Sequence, residues 1–249
     1  MTTLLLHGFM GSSQAWGEGL VDGLASVGRP PALVDLPGHG RHAGETNPDH
    51  FTLGTVFESI EEASAGEPVD LVGYSMGGRL ALAFTAVRPE AVRSLVLESA
   101  SPGLATAAER QERRASDEVL AQHLEERGTE AFVNEWECRA LFESQRSLPD
   151  HVRTAHRARR LLNEPASLAA SLRGLGTGCL PSYWDALESL VPPVLLLAGE
   201  LDTKFSAIAR SMAQRIPIAR VGVVPGAGHA VHLERPEVWL ATVLDFLAG

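Results

Sequence analysis

Gly73-Tyr74-Ser75-Met76-Gly77 sets a serine between two glycines at the spacing of a nucleophile elbow. Such a serine sits at the apex of a strand-to-helix turn, in a strained backbone. A glycine two residues to either side lets neighbouring chain pass without a Cβ clash. The helix that follows aims its unpaired N–H groups back at the serine, where they favour developing negative charge. To act, the serine needs a base to take its proton and an acid to orient that base. Gly199-Glu200-Leu201-Asp202 and Pro225-Gly226-Ala227-Gly228-His229 supply them in the order serine, acid, histidine, each just past an apolar run. Ser75, Asp202 and His229 are therefore the expected catalytic residues. Glu200 and His232 are rivals for acid and base, and Asp202 can equally cap the helix that follows it.

Stabilising an oxyanion takes two backbone donors. Met76, the residue after the serine, offers one. The second is expected from Phe9, in the glycine-bearing loop His7-Gly8-Phe9-Met10-Gly11, although His7-Gly8 can also be read as a plain tight turn. Arg79 falls in the first turn of the elbow helix, where a cation opposes the helix dipole. A residue that breaks a local rule beside a nucleophile points to a bound anion, the alternative being a structural carboxylate partner. Arg110, Arg113 and Arg114 share one helical face, as do Arg153, Arg157 and Arg160. With twenty arginines to a single lysine, such stripes by themselves read as solvated faces. His7, His39 and His42 read as loop-packing or solvated residues.

These side chains need a scaffold. Apolar runs at 2–6, 32–36, 69–72, 94–98, 194–198 and 220–224 read as strands, most of them apolar on both faces. Helical patterns at 13–26, 53–63, 205–215 and 236–247, with the elbow helix, alternate with them. That alternation predicts an α/β fold with a parallel sheet covered on both sides. From 101 to about 190 the strand signal lapses, and helices are expected near 105–126, 129–142, 149–162 and 165–173. The chain thus divides into an α/β core at 1–100 and 186–249 and a helical cap at 101–185. A cap inserted after a strand lies over the carboxyl edge of the sheet, where open α/β folds bind ligands.

Composition narrows the field. A length of 249 residues with 45% apolar content suits one core with an insertion. No apolar run is long enough to span a membrane and no signal-peptide pattern opens the chain, so a cytoplasmic location is expected. A net charge of −10 speaks against nucleic acid and anionic membranes as partners. Cys138 and Cys179 stand far apart without a metal-ligand pattern and read as buried or idle thiols. Oligomeric state is left open, with a monomer favoured.

With these residues assembled, the chain resembles the α/β-hydrolase superfamily along nearly its whole length. The shared features are Leu6-His7-Gly8-Phe9, Asp35-Leu36-Pro37-Gly38-His39-Gly40, the elbow and Gly228-His229. More narrowly it resembles the 2-succinyl-6-hydroxy-2,4-cyclohexadiene-1-carboxylate synthases of menaquinone biosynthesis. That match rests on Gly73 to Arg79, Ser101-Pro102-Gly103-Leu104, Glu112-Arg113, Ser116-Asp117 and Trp136. It continues through Arg160-Leu161, Asn163-Glu164-Pro165, Gly176-Thr177-Gly178, Pro181-Ser182, Trp184, Gly199-Glu200, Asp202, Lys204 and Phe205. The resemblance implies a lyase that eliminates pyruvate from 2-succinyl-5-enolpyruvyl-6-hydroxy-3-cyclohexene-1-carboxylate, without cofactor or metal. It implies that Arg79, Arg113 and Arg160 bind the carboxylates of this small polycarboxylate, and that Tyr74 and Trp136 line its pocket. Two departures stand out. The sequence opens at what is commonly the third strand, so the leading strand pair is absent and six strands in the order 2-1-3-4-5-6 are expected. Arg41-His42 also follows Gly38-His39-Gly40, where relatives often carry a small residue and then serine.

Overall fold

A computed structural model describes residues 1–249. In chain order, strand β1 (Thr3–Leu6) leads to helix α1 (Gly17–Ser26), and β2 (Pro31–Val34) to α2 (Leu53–Ser64). The elbow unit is β3 (Val69–Tyr74) and α3 (Met76–Val87), followed by β4 (Val92–Glu98). Three helices come next: α4 (Ala107–Trp136), α5 (Asp150–Leu161) and α6 (Pro165–Leu175). The chain closes with β5 (Val194–Gly199), α7 (Thr203–Ala213), β6 (Ala219–Val224), the single turn α8 (Val231–Glu234) and α9 (Pro236–Ala248). No helix is long and apolar enough to cross a membrane.

The six strands form one sheet in the order β2-β1-β3-β4-β5-β6, and every neighbouring pair is parallel. The order is the one expected, and the sheet is wholly parallel. Its apolar runs explain the layering, because alternate residues of a strand face opposite sides. Leu4, Leu6, Leu71, Leu95, Leu97 and Leu196 pack with Val56 and Ile60 of α2, Leu80 of α3 and Met212 of α7. Leu5, Val72, Val96, Leu195 and Leu197 face the other way, onto Leu20 and Leu24 of α1 and Trp239 and Val243 of α9. A third, smaller cluster joins Leu124 and Phe132 of α4 to Leu168 and Leu172 of α6 and to Met10 of the β1 loop. Helices α4 and α6 are thereby seated on the loop that follows the first strand.

Local signals account for most boundaries. Thr106 and Glu109 form a reciprocal capping box that starts α4, and Gly128, at φ 77°, breaks that helix between the two helices expected there. The second half stops at Trp136 rather than near 142, and a 3₁₀ segment, Ala140–Ser147, takes its place. Helix α1 begins later than the pattern suggests. Ser13–Trp16 is a 3₁₀ turn, and the chain re-starts as an α-helix at Gly17, whose φ of 67° an L side chain would resist. Strand β2 ends at Val34, releasing Asp35 from the ladder to organise a loop: its carboxylate accepts N–H bonds from Ser13 at 2.6 Å and Arg41 at 3.2 Å.

Candidate active site

The elbow is built as its spacing requires. Ser75 holds φ 52° and ψ −106°, a strained backbone for a non-glycine residue. A Cβ on Gly73 would stand 2.5 Å from the carbonyl oxygen of Gly77, and one on Gly77 would overlap the Leu6 carbonyl. Those two positions need glycine for close approach alone. Two backbone bonds fix the turn: the Ser75 N–H donates to the Glu98 carbonyl on β4 at 2.8 Å, and the Gly77 N–H to the His7 carbonyl at 3.1 Å.

His229 comes to the serine from the loop after β6. Its Nε2 lies 3.0 Å from Ser75 Oγ, and its Nδ1 lies 2.6 Å from Asp202 Oδ2. A carboxylate only accepts, so Nδ1 carries the proton and Nε2 presents its lone pair to the Ser75 hydroxyl. Asp202 fulfils both readings of its position. One oxygen holds His229, while the other accepts the Phe205 N–H at 3.1 Å and caps α7. The rivals are engaged elsewhere. Glu200 accepts the Gly226 N–H at 3.0 Å, and His232 gives its Nδ1–H to Glu98 at 2.8 Å.

Two buried carboxylates that the sequence reading passed over brace this arrangement. Glu234 accepts the N–H groups of Gly228 at 2.7 Å and Ala230 at 3.2 Å, holding the backbone on either side of His229. The fully buried Glu98 side chain accepts from His232 and from Trp239 Nε1, the latter at 2.8 Å, while its carbonyl takes the Ser75 N–H. Both lie in ordinary sequence contexts, where only the strand-end position of Glu98 offered a hint.

The Phe9 and Met76 N–H groups donate to no protein acceptor, and both residues line the same cavity as Ser75. The loop carrying Phe9 is held by His7. The Leu36 N–H donates to His7 Nε2 at 3.1 Å, so Nδ1 bears the proton and donates to the Gly8 carbonyl at 2.8 Å. Burial pushes the His7 pKa down to about 4, which keeps the ring neutral. His39 behaves likewise. Its Nδ1 lies 2.9 Å from the Pro37 carbonyl, and burial, then the nearby His7, lowers its pKa to about 3. Its ring meets Phe9 edge-on at 5.6 Å. The His42 ring accepts a bond from its sequence neighbour Arg41, at 3.2 Å.

The cavity has a volume of about 400 Å³. Ser75, His229, Phe9, Met76, Tyr74, Arg79, Arg113, Trp136 and Arg160 all border it. Asp202 stands behind His229 and does not border this cavity. Aromatic rings frame the histidine: Tyr74 at 5.5 Å, Phe205 at 4.8 Å and Phe142 at 6.0 Å. Burial, then Glu98, raises the Tyr74 hydroxyl pKa, so it stays protonated as a donor.

The three cavity arginines differ in their partners. Arg113 bonds Asp117 at 2.7 Å and Arg160 bonds Glu137 at 3.0 Å, with its guanidinium 5.2 Å from the Phe142 ring centroid. Arg79 has no carboxylate partner. Its Nη1 donates to Thr177 Oγ1 at 2.6 Å, its Nε is buried without any partner, and burial followed by Arg113 pushes its pKa down to about 10. The neighbours in each stripe part company. Arg110 and Arg114 tie down the Leu104 and Gly178 carbonyls, while Arg153 pairs with Asp150 and Arg157 with Glu137. Phe142, His156 and Lys204 also line the cavity. His156 shows no pattern in sequence that would have singled it out, and burial pushes its pKa well down.

Comparison with known proteins gives this geometry a lineage. The model of the alpha/beta hydrolase family matches residues 3–243. A Bacillus subtilis protein, provisionally named 2-succinyl-6-hydroxy-2,4-cyclohexadiene-1-carboxylate synthase, is 41% identical over 98% of this chain and 89% of its own. The synthase of that name from Klebsiella pneumoniae is 31% identical over 99% of this chain and 93% of its own. The structure of MenH from S. aureus superposes with a TM-score of 0.91 at 35% identity, covering 100% of this chain and 93% of that one. Likeness of sequence and fold over whole chains places this protein in the alpha/beta hydrolase family, among its 2-succinyl-6-hydroxy-2,4-cyclohexadiene-1-carboxylate synthases.

Proposed function

We propose that this chain is a cytoplasmic lyase that converts 2-succinyl-5-enolpyruvyl-6-hydroxy-3-cyclohexene-1-carboxylate to 2-succinyl-6-hydroxy-2,4-cyclohexadiene-1-carboxylate and pyruvate. Residues 101–185 act as a cap over a core of 1–100 and 186–249. Substrate and product differ by loss of the enolpyruvyl group at C5, loss of a proton at C2 and a shift of the ring double bond. C2 lies beside the succinyl carbonyl, so its proton is that of a carbon acid. His229 Nε2 takes the Ser75 proton, and the Ser75 oxygen takes the C2 proton. The electron pair moves onto the succinyl oxygen, which the Phe9 and Met76 N–H groups stabilise as an enolate. It then returns through the ring, making the 2,4-diene and breaking the C5–O bond. The proton on His229 goes to the departing enolpyruvate, which becomes pyruvate. Asp202 steadies the imidazolium between the two transfers.

One observation carries this reading beyond a serine esterase: Arg79, one turn along the serine's own helix, faces the cavity with no carboxylate bonded to it, Asp117 acting on it only through its charge. A cation held that way is stabilised by an anionic ligand. Arg113 and Arg160 border the same space, which suits a substrate with three carboxylates, and Tyr74 and Trp136 supply its apolar walls. The test supplies the enolpyruvyl substrate and measures pyruvate, beside a neutral p-nitrophenyl ester. Pyruvate release far exceeding ester hydrolysis is the expected result. Ester hydrolysis without pyruvate would overturn the reading in favour of a hydrolase.

A further inference from the structure

A second cavity, of about 410 Å³, lies beside the reaction cavity, and Phe142, His156 and Arg160 form the wall common to both. The other charged residues lining it are Arg146, Arg153 and Arg157, against Glu137 and Asp150. Arg153 and Arg157 belong to the α5 stripe that the reaction leaves unused. With Arg160, four cations face two carboxylates here, on a chain whose net charge is −10. Both carboxylates are already engaged. Glu137 gives one oxygen to Arg157 at 2.9 Å and the other to Arg160 at 3.0 Å, and Asp150 bonds Arg153 at 2.5 Å. Arg146 is exposed and has no carboxylate partner.

A third cavity, of about 830 Å³, meets the reaction cavity on another side, at Leu141 and Lys204. Its charged residues are Arg146 and Lys204 against Glu143 and Asp202, which balance. A fourth, of about 380 Å³, shares Ala15 and His232 with the reaction cavity and sets Arg159 against Glu237, so of the three neighbouring cavities only the one beside α5 carries a positive excess.

We propose that the cavity beside α5 is an anion-capture vestibule, through which the polycarboxylate substrate passes to the reaction cavity. Arg146, Arg153 and Arg157 receive its carboxylates, and Arg160, reaching both spaces, takes one over at the shared wall. The cations shorten the search of an anion that the acidic surface elsewhere repels. This inference rests on the substrate class proposed above.

The test follows binding of the enolpyruvyl substrate to the Ser75→Ala protein by stopped-flow tryptophan fluorescence, with Trp136 in the cavity as reporter. Three further changes are compared in that background. Arg153→Glu alters a residue that borders the vestibule alone. Arg146→Glu/Arg153→Glu enlarges the perturbation. Arg220→Glu, whose arginine pairs with Asp245 far from both cavities, gives the same net charge as the first. At low salt the association rate should fall about fivefold for Arg153→Glu and about twentyfold for the double variant, and stay near the starting value for Arg220→Glu. The differences should close by about 0.5 M salt, where the screening length is only a few ångströms. Equal rates for Arg153→Glu and Arg220→Glu at low salt would overturn the vestibule. Failure of the unmodified protein to release pyruvate would instead remove the functional reading, and this inference with it.

Discussion

Replacing Arg79 separates an anion-binding role from a structural one. In the free protein its guanidinium bonds a single hydroxyl, that of Thr177, with Asp117 acting on it only through its charge, and its Nε is sealed from solvent without a partner. Removing a buried cation that forms no salt bridge costs the fold little, so Arg79→Met should melt at or above the unmodified protein. Catalysis should respond in the opposite direction. A charge-assisted contact to a carboxylate in a closed cleft is worth roughly 2–4 kcal/mol. Its loss should therefore cut kcat/KM for pyruvate release by about thirty- to a thousandfold. Arg79→Lys should recover only part of this, since an ammonium supplies charge without the planar two-donor fork. Hydrolysis of a neutral p-nitrophenyl ester at Ser75 should barely change. The assay is pyruvate release and ester hydrolysis on the three proteins, with melting temperatures alongside. Equal losses on both substrates, or a melting temperature well below that of the unmodified protein, would show that Arg79 supports the elbow and would refute the anion-site argument.

Three other perturbations test separate parts of the structure. Ser75→Ala and His229→Ala should each lower turnover by at least about a thousandfold, and the double variant should be little worse than either, because the two act as one unit; steady-state pyruvate assays on all three check this. Ser75→Gly should be more stable to urea than Ser75→Ala by about 1 kcal/mol, since glycine relieves the φ of 52° that alanine retains. His7 and His39 have folded pKa values of about 4 and about 3, below the 6.5 of an unfolded histidine, so the unfolded chain binds more protons as the pH falls. Their contribution to stability is complete above about pH 6.5 and is lost as the pH falls to about 4 for His7 and about 3 for His39. Urea unfolding between pH 6 and 4.5 should show a slope of up to about 1.4 kcal/mol per pH unit from each ring, and His39→Leu should remove one such share.

The sheet was legible because its strands are short apolar runs between glycine-bearing loops, and a parallel sheet buried on both faces requires that pattern. Strand order followed from the family resemblance, since periodicity fixes the strands but not which of them lie side by side. Boundaries at 13–17 and 136–142 were misplaced for a common reason: a 3₁₀ turn and an α-helix share nearly the same apolar spacing over one turn. Ser75, Asp202 and His229 could be picked out because loop position and chain order constrain them. Glu98 and Glu234 could not. A carboxylate that braces backbone N–H groups in the interior looks, in sequence, like any solvated acid. The cap arginines illustrate the same limit. Spacings of four and then three residues set Arg153, Arg157 and Arg160 on one face, but only the packing against Glu137 and Phe142 shows that Arg160 alone of them reaches the reaction cavity.

A serine, histidine and aspartate in this geometry can serve ester hydrolysis as readily as elimination, so the choice of reaction must come from what surrounds them. An oxygen nucleophile attacks a carbonyl carbon held at its tip, whereas a base needs a C–H there and the carbonyl oxygen in the oxyanion site. Which of the two is presented depends on how the substrate is pinned at its far ends. Arg79 lies on the elbow helix, Arg113 on α4 and Arg160 on α5, so the three cations reach the cavity from separate elements. On the proposed function, three carboxylates gripped at these three points would leave the ring between them little freedom to turn, and fixed orientation of this kind can contribute several kcal/mol to a barrier. On that proposal the arginines of the elbow, α4 and α5 would select elimination, with the serine, histidine and aspartate arranged as hydrolysis also needs them. Loosening any one of them should then cost turnover as well as affinity, because a carbon acid misaligned by an ångström no longer meets its base.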